Sequence, residues 1–224
     1  MNSRNEAIIM LTRAPFDDSC KTRMAPELDG EQRQALSQAM LQDELGHLRD
    51  TGRDVLVYFT PCGYDSQMRE LVGAGAPLFP QAEGDLGQRM YVALHHAFEL
   101  GYSRCVLVGS DVPELSAQDV NCAFAALDGC DVVLVPTFDG GYCLVGMNAP
   151  VSEAFPPLRY GGATVLEQTV ASLERAHVSH AVLEPVHDID TPHDLRDFVA
   201  RQPATSCPRT WAFAQLSIQS VNRD

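Results

Sequence analysis

Short apolar runs recur along this chain, separated by polar loops and by segments of helical period. That alternation restricts the fold more than any other feature. Residues 7–11, 55–59, 105–108 and 132–135 are such runs, and each is too continuous to be a half-exposed strand. Between them lie helical patterns. Leu41, Leu45 and Leu48 share one face within 31–49; Leu86, Met90, Ala93, Leu94, Ala97 and Phe98 share another. Further helices are predicted over 66–71, 116–127 and 163–176, and from Thr191 with Pro192 at its first position. Residues 77–80 and 181–184 read as short extended segments. Strands alternating with helices predict a three-layer α/β/α sandwich around a mainly parallel sheet. Residues 132–135 and 142–147 are the exception, because too few residues separate them for a crossover. They form either a local antiparallel element or a strand that leaves the main sheet.

The chain of 224 residues fits a single domain, here 1–202, followed by a tail at 203–224 without clear period. Trp211, Phe213, Leu216 and Ile218 give the tail an apolar side. It either folds back on its own domain or docks on another subunit of a homodimer. A formal charge of −14 argues against nucleic acid or an anionic membrane as partner. Seven cysteines without a C-x-x-C pair read as reduced thiols, and no run reaches the length of a membrane span. A soluble cytoplasmic protein is the expectation.

Against that acidic background, Arg13, Lys21 and Arg23 fall within eleven residues just after the first strand. Such a group suits an anionic ligand, with Lys as a point charge and Arg as a bidentate fork. It could instead balance Asp17 and Asp18. Walker A and G-x-G-x-x-G patterns are both missing from the sequence. Asp111 ends the 105–108 strand, where ligands of open α/β sheets bind. Asp188 and Asp190 follow the last strand, and Asp139 lies in the turn Asp139-Gly140-Gly141-Tyr142. Hard cations such as Mg²⁺ or Mn²⁺ take such oxygens together with substrate phosphates. The alternatives are helix caps for Asp111 and Asp190 and a turn role for Asp139. Asp85, Leu86 and Gly87 open a helix whose first N–H groups could meet a base or phosphate, or merely begin the helix.

Six segments together resemble the nucleotide-diphospho-sugar transferase superfamily. They are Arg13-Ala14-Pro15, Lys21-Thr22-Arg23-Met24-Ala25-Pro26, Gly84-Asp85-Leu86-Gly87-Gln88-Arg89-Met90, Gly109-Ser110-Asp111-Val112-Pro113, Asp139-Gly140-Gly141-Tyr142 and Asp188-Ile189-Asp190-Thr191-Pro192. More narrowly, the chain is similar to the selenodomain-associated, glycosyltransferase-like branch. That branch is related to 2-phospholactate guanylyltransferases and molybdenum-cofactor nucleotidyltransferases. The resemblance implies a Rossmann-like fold binding a nucleotide over the first half of the sheet. Arg13, Lys21 and Arg23 would contact its phosphates, and Asp85, Leu86 and Gly87 would lie near its base. Asp111, Asp188 and Asp190 would hold the metal, and Asp139, Gly140, Gly141 and Tyr142 would face a small-molecule acceptor. Lys21, Arg23 and Asp111 would carry the catalysis. Nucleotidyl transfer from a nucleoside triphosphate to a phosphorylated or hydroxyl acceptor is the leading expectation. Asp111 is followed by Val-Pro, so the D-x-D of many glycosyltransferases is missing there. Glycosyl transfer from a nucleotide-sugar is the second reading. A non-catalytic nucleotide-binding module is the third, motivated by Asp18, an acid inside the basic loop where the branch usually has Gly.

Overall fold

The strands are β1 (Glu6–Arg13), β2 (Asp54–Thr60), β3 (Leu78–Pro80), β4 (Arg104–Val108), β5 (Val132–Pro136), β6 (Tyr142–Met147) and β7 (His180–Val182). The computed structural model, which describes residues 5–73 and 75–221, joins them in one sheet ordered β3-β2-β1-β4-β6-β5-β7. β1 runs parallel to β2 and β4, as does β2 to β3 and β5 to β7. β6 lies antiparallel between β4 and β5. The 142–147 segment therefore stays in the main sheet, because the turn before it is long enough only for a hairpin.

The helices are α1 (Gly30–Asp50), α2 (Asp65–Val72), α3 (Leu86–Glu99), α4 (Ala117–Ala126), α5 (Val165–Arg175), α6 (Pro192–Arg201) and α7 (Pro208–Val221). Leu41, Leu45 and Leu48 of α1, with α2 and α4, cover the sheet face carrying Ile8, Val57 and Val106. Met90, Ala93, Leu94 and Ala97 of α3, with Leu173 of α5, cover the face carrying Ile9, Leu56 and Leu107. Leu86, by contrast, is 40% exposed and turned out of the core. The α1 crossover thus leaves β1 on one side of the sheet, and the α3 crossover enters β4 on the other. The gap between β1 and β4 is the topological switch point, where the chain ends diverge and leave a crevice.

Four helices begin with a reciprocal capping box: Asp29/Gln32, Asp85/Gln88, Ser116/Asp119 and Thr191/Asp194. Each box satisfies donors that a helix start would otherwise leave unpaired.

The tail, read as aperiodic, forms α7. Its Ala214 is buried with Leu36 and Met40 of α1 and Phe198 of α6, and Trp211 and Phe213 pack against the same cluster. α1 is therefore buried on two sides, which blurs its apolar stripe in the sequence. Leu216 points outward, and the side chain of Ile218 lies outside the described residues. Among the described residues no helix is long and apolar enough to cross a membrane.

Candidate active site

The carboxyl ends of β1, β4 and β5 and the amino end of the antiparallel β6 open into a cleft of about 500 Å³. Its charged lining is balanced: Arg13, Lys21, Arg23 and Arg89 against Asp111, Asp139, Asp188 and Asp190. In so acidic a chain, four cations here are a local concentration of positive charge.

Lys21 is the centre of the arrangement. Its side chain is only 5% exposed, and its Nζ lies 2.7 Å from Asp111 Oδ1 and 3.4 Å from Asp190 Oδ1. It also donates to Ile189 O at 2.5 Å. Burial alone would lower the ammonium's pKa, but the Asp111 and then the Asp190 carboxylates outweigh it, and the pKa stands raised. The Lys21 backbone is left-handed (φ 46°), a conformation a non-glycine residue holds only when its surroundings enforce it. Arg23 reaches Asp190 Oδ2 at 2.7 Å. Ile189 N donates to Asp111 O at 3.0 Å, which ties the β4 loop to the segment before α6. Residues some 80–170 positions apart are thus fastened into one charged cluster.

Arg33 of α1 anchors the basic loop. Its guanidinium donates to Cys20 O, Leu28 O and Asp18 O at 3.1–3.3 Å. Asp18 itself turns away from the cleft. Its carboxylate lies against Gly30 and accepts from Gln34 at 3.4 Å. The acid that motivated a non-catalytic reading is not among the residues lining the cleft. Arg13 lines the cleft, with its Nε donating to Ser19 Oγ at 2.6 Å.

Beneath the Asp111 loop lies Glu44 of α1, fully buried, with neither carboxyl oxygen well bonded. Burial first, and then the Asp111 charge, push its pKa well above the usual carboxylate range. Helical periodicity gave no hint of it, since an acid on a long helix reads as solvated.

Three expected ligand-binding residues have other duties. Asp85 spends its carboxylate on the N–H of Gln88 as a helix cap and does not line the cleft. Gly87 is covered by Tyr160, whose ring occupies the space a Cβ would need. Of that trio only Leu86 faces the cleft. Gly140 is likewise a packing residue: its φ is +91°, a Cβ there would run into Ala163 O, and its carbonyl accepts from Leu166 N at 3.0 Å. Gly140→Ala is expected to cost about 3 kcal/mol from strain plus overlap, lowering Tm by roughly 6–12 °C. An unchanged melting curve would contradict this assignment. Asp139, Gly141 and Tyr142 do line the cleft. Asp139 Oδ1 accepts from Thr137 Oγ1 (2.5 Å) and Gly141 N (3.0 Å), so it shapes the turn while facing the site.

The metal trio is only partly assembled. Asp111 and Asp190 converge on Lys21 Nζ, and among the described residues no three His, Cys, Asp or Glu side chains form a metal cage. Asp188 sits apart from the ammonium. Burial, and next the Asp139 charge, push its pKa up to about 6, from an ordinary 3.8. The folded state therefore holds the Asp188 proton more tightly than the unfolded chain does. That contribution to stability is lost as pH rises through about 6. Asp188→Asn, always neutral, escapes the loss. Its stability relative to wild type should grow by about 1 kcal/mol between pH 5 and 7.5, read from paired thermal melts. A pH-independent difference would show that Asp188 titrates normally.

Several lining residues had no signal of their own in the sequence: Thr12, Thr60, Gln81, Arg89 and Tyr160. Gln81 directly follows the short β3, so the rule that strand ends carry ligands could have found it.

A basic loop faces carboxylates at the switch point, and with the relatives that follow it makes this chain a nucleotide-dependent transferase. Solved structures agree. A crystal structure assigned as a nucleotide-diphospho-sugar transferase from Desulfovibrio desulfuricans G20 superposes with a TM-score of 0.91 at 27% identity, covering 98% of both chains. The chain belongs to the family described as uncharacterized protein conserved in bacteria (DUF2064), which matches residues 45–162. It is also similar to the 3-phospho-D-glycerate guanylyltransferase of Phenylobacterium zucineum (strain HLK1). The two are 31% identical over 191 residues, covering 82% of this chain and 85% of that one. The phosphoenolpyruvate guanylyltransferase of Roseiflexus castenholzii is 31% identical over 194 residues, covering 82% and 83%.

Proposed function

We propose that this protein is an Mg²⁺-dependent nucleotidyltransferase that moves a nucleoside monophosphate from a triphosphate, GTP first among them, onto a small acceptor and releases pyrophosphate. The observation that carries the reading is the buried Lys21 ammonium shared by Asp111 and Asp190 at the switch point, with Arg13 and Arg23 beside it. The relatives supply the direction of the chemistry, since those at 31% identity are named as guanylyltransferases. Their named acceptors are phosphorylated acids, so acceptors of that kind are the first to try.

A metal fits this donor set as a site shared with substrate. Asp111 engages Lys21 through Oδ1, and its side chain is 57% exposed, which leaves oxygen facing the cleft. Asp111 would hold Mg²⁺ together with Asp190 and Asp188, the triphosphate oxygens completing the shell. Bound there, the ion supplies neutralisation of phosphate charge. The chain's own part is positioning. Lys21 and Arg23 bind and orient the triphosphate and disperse the charge that builds on the leaving pyrophosphate. Arg13 extends that grip at the mouth. Asp139, Gly141 and Tyr142 hold the acceptor so that its oxygen lies in line with the α-phosphorus.

The test is pyrophosphate release from each of the four common triphosphates with 3-phosphoglycerate, phosphoenolpyruvate and 2-phospholactate, with and without Mg²⁺. Turnover requiring both metal and acceptor is the expected result. The similarity to an assigned nucleotide-diphospho-sugar transferase keeps glycosyl transfer as a second reading. Binding and slow hydrolysis of nucleotide-sugars, without any release of pyrophosphate from triphosphates, would favour it instead. Asp111→Asn should remove the Mg²⁺-dependent part of the thermal shift given by a triphosphate. If that shift persists intact, the metal assignment fails.

A further inference from the structure

Segment 111–115 follows β4 and begins with Asp111, yet it is not an ordinary surface loop. Val112, Pro113 and Leu115 are buried, while the Asp111 side chain is more than half exposed and lines the cleft. A buried stretch of irregular backbone needs a partner for each polar group it takes out of water. Most of these partners come from outside the loop. Asp111 O accepts from Ile189 N at 3.0 Å, and Val112 O accepts from Leu115 N at 3.0 Å, which closes a tight turn. Pro113 O accepts from the Cys207 thiol at 3.0 Å. Leu115 O lies 3.1 Å from Nδ1 of His47, whose Nε2 is 2.8 Å from Ser206 O.

Glu114 adds a charged tie. Its side chain is only 6% exposed, and its two oxygens accept from Arg201 Nη2 at 2.9 Å and Gln202 Nε2 at 2.7 Å. The carboxylate does not line the cleft, and the transfer chemistry above makes no use of it. Nor does it serve α6, which ends at Arg201, because an anion drawn to the carboxyl end of a helix works against the macrodipole. What the pairing achieves is mechanical. Glu114 sits in the turn that Leu115 N closes onto Val112 O, directly after Asp111 leaves β4. Fastening Glu114 fixes the turn, and with it the direction in which Asp111 points.

We propose that Glu114 is a positioning residue for nucleotidyl transfer: by fastening segment 111–115 to Arg201 and Gln202, it holds the Asp111 carboxylate where Lys21 and a substrate-borne Mg²⁺ meet it. The proposal rests on the nucleotidyl-transfer reading above and names what keeps its metal-facing carboxylate in place. Groups that orient a ligating carboxylate raise metal affinity although they never touch the ion. The C-terminal part of the chain thereby gains a share in the chemistry. Arg201, Gln202 and Cys207 bear on this segment directly, and Ser206 does so through His47. Without these ties Asp111 would sample several directions, and binding would have to order it first.

The experiment follows the thermal stabilisation that GTP gives at rising Mg²⁺, on the full-length wild-type protein, Glu114→Ala and Glu114→Gln. Glu114→Ala should raise the Mg²⁺ concentration for half of that stabilisation about tenfold. Glu114→Gln keeps the shape and can pair with both donors once the Gln202 amide turns over, so it should stay within about twofold of wild type. If Glu114→Gln behaves as Glu114→Ala does, the charge matters and not the tie, and the proposal is overturned. Asn148→Ala removes two hydrogen bonds, to Leu127 O and Cys130 O, at the opposite end of the sheet. It should melt earlier with an unchanged Mg²⁺ midpoint; a midpoint moved as far as in Glu114→Ala would reduce the effect to stability alone and sink the proposal. Should Glu114→Ala not fold, Arg201→Met removes one donor from a partly exposed residue and must raise the midpoint in the same direction. An unmoved midpoint there overturns the proposal as well. If no triphosphate stabilises the wild type, the nucleotidyl reading fails on its own account, and amide exchange without ligand decides the role of Glu114. Exchange at Ile189, whose N–H donates to Asp111 O, should then quicken in Glu114→Ala, or in Arg201→Met in its place, by at least about tenfold beyond the global loss of stability. Exchange that merely follows global stability is the overturning result.

Discussion

Lys21→Met is expected to lower kcat for pyrophosphate release by at least about 10²-fold while the protein still folds, because one preorganised donor at the transferring phosphate is typically worth that much. The physical reason goes beyond the loss of a charge. Lys21 is nearly buried, and Asp111 and Asp190 both lean on its ammonium. Removing one partner of a buried charge group leaves the others uncompensated, and such losses run to about 3–5 kcal/mol. Here the penalty is softened because Asp111 is more than half exposed and Arg23 still pairs with Asp190. Stability should therefore fall by less than that range, while the site loses the cation that aligns its carboxylates. Lys21→Arg separates charge from shape. The bulkier fork cannot reproduce a single Nζ between two carboxylates and a carbonyl, so it should rescue stability more than rate. Steady-state kinetics and thermal melts on the two variants check both statements. Near-normal turnover in Lys21→Met would remove the residue from the mechanism.

Asp43→Ala should destabilise the whole chain by about 3 kcal/mol, a fall in Tm of roughly 6–12 °C. Asp43 sits on α1, yet it caps another helix. Its carboxylate, with no side-chain exposure, accepts from Thr210 N at 2.8 Å and from Arg209 N and Nη1 at 3.3 Å. Those are first-turn donors of α7, which otherwise would be left without partners inside the fold. Truncation strands two main-chain N–H groups and one guanidinium contact, and the cluster around Phe198 and Ala214 loses its fastening. Because this cluster also holds Ile189, whose carbonyl receives Lys21, the variant should show weaker nucleotide binding than its melting alone predicts. Asp43→Asn keeps one acceptor and should recover about half the loss. A change in Tm of less than 2 °C for Asp43→Ala would mean α7 is held by other contacts.

Local chemistry made much of the site legible. Lys21 and Arg23 stood out with Arg13 as a cluster of cations in an otherwise acidic chain, and Asp111 as a carboxylate just past an apolar run, where a strand end borders a ligand crevice. Asp190 was visible for the same reason, though its capping alternative, next to Thr191-Pro192, could not be separated from it. The structure divides that work: Asp194 and Thr191 close the capping box, and Asp190 is left to pair with Lys21 and Arg23. Asp85 resolves the other way, as a cap. The two residues look alike in sequence because both roles need an acid just before a helix, and only the direction of the neighbouring chain distinguishes them. Glu44 was not legible: it looks like an ordinary helical acid and acquires its meaning from the Asp111 loop brought over it by a distant strand.

The order of apolar runs and helical stripes was enough to determine an α/β sandwich with a mainly parallel sheet, because those periods allow few other layer arrangements. It also determined that cations and carboxylates gather at one edge of that sheet. Which of them touch and which merely cap a helix were decided by tertiary structure alone. Those outcomes depend on contacts between residues far apart in the chain, and no local pattern encodes the distance across a cleft.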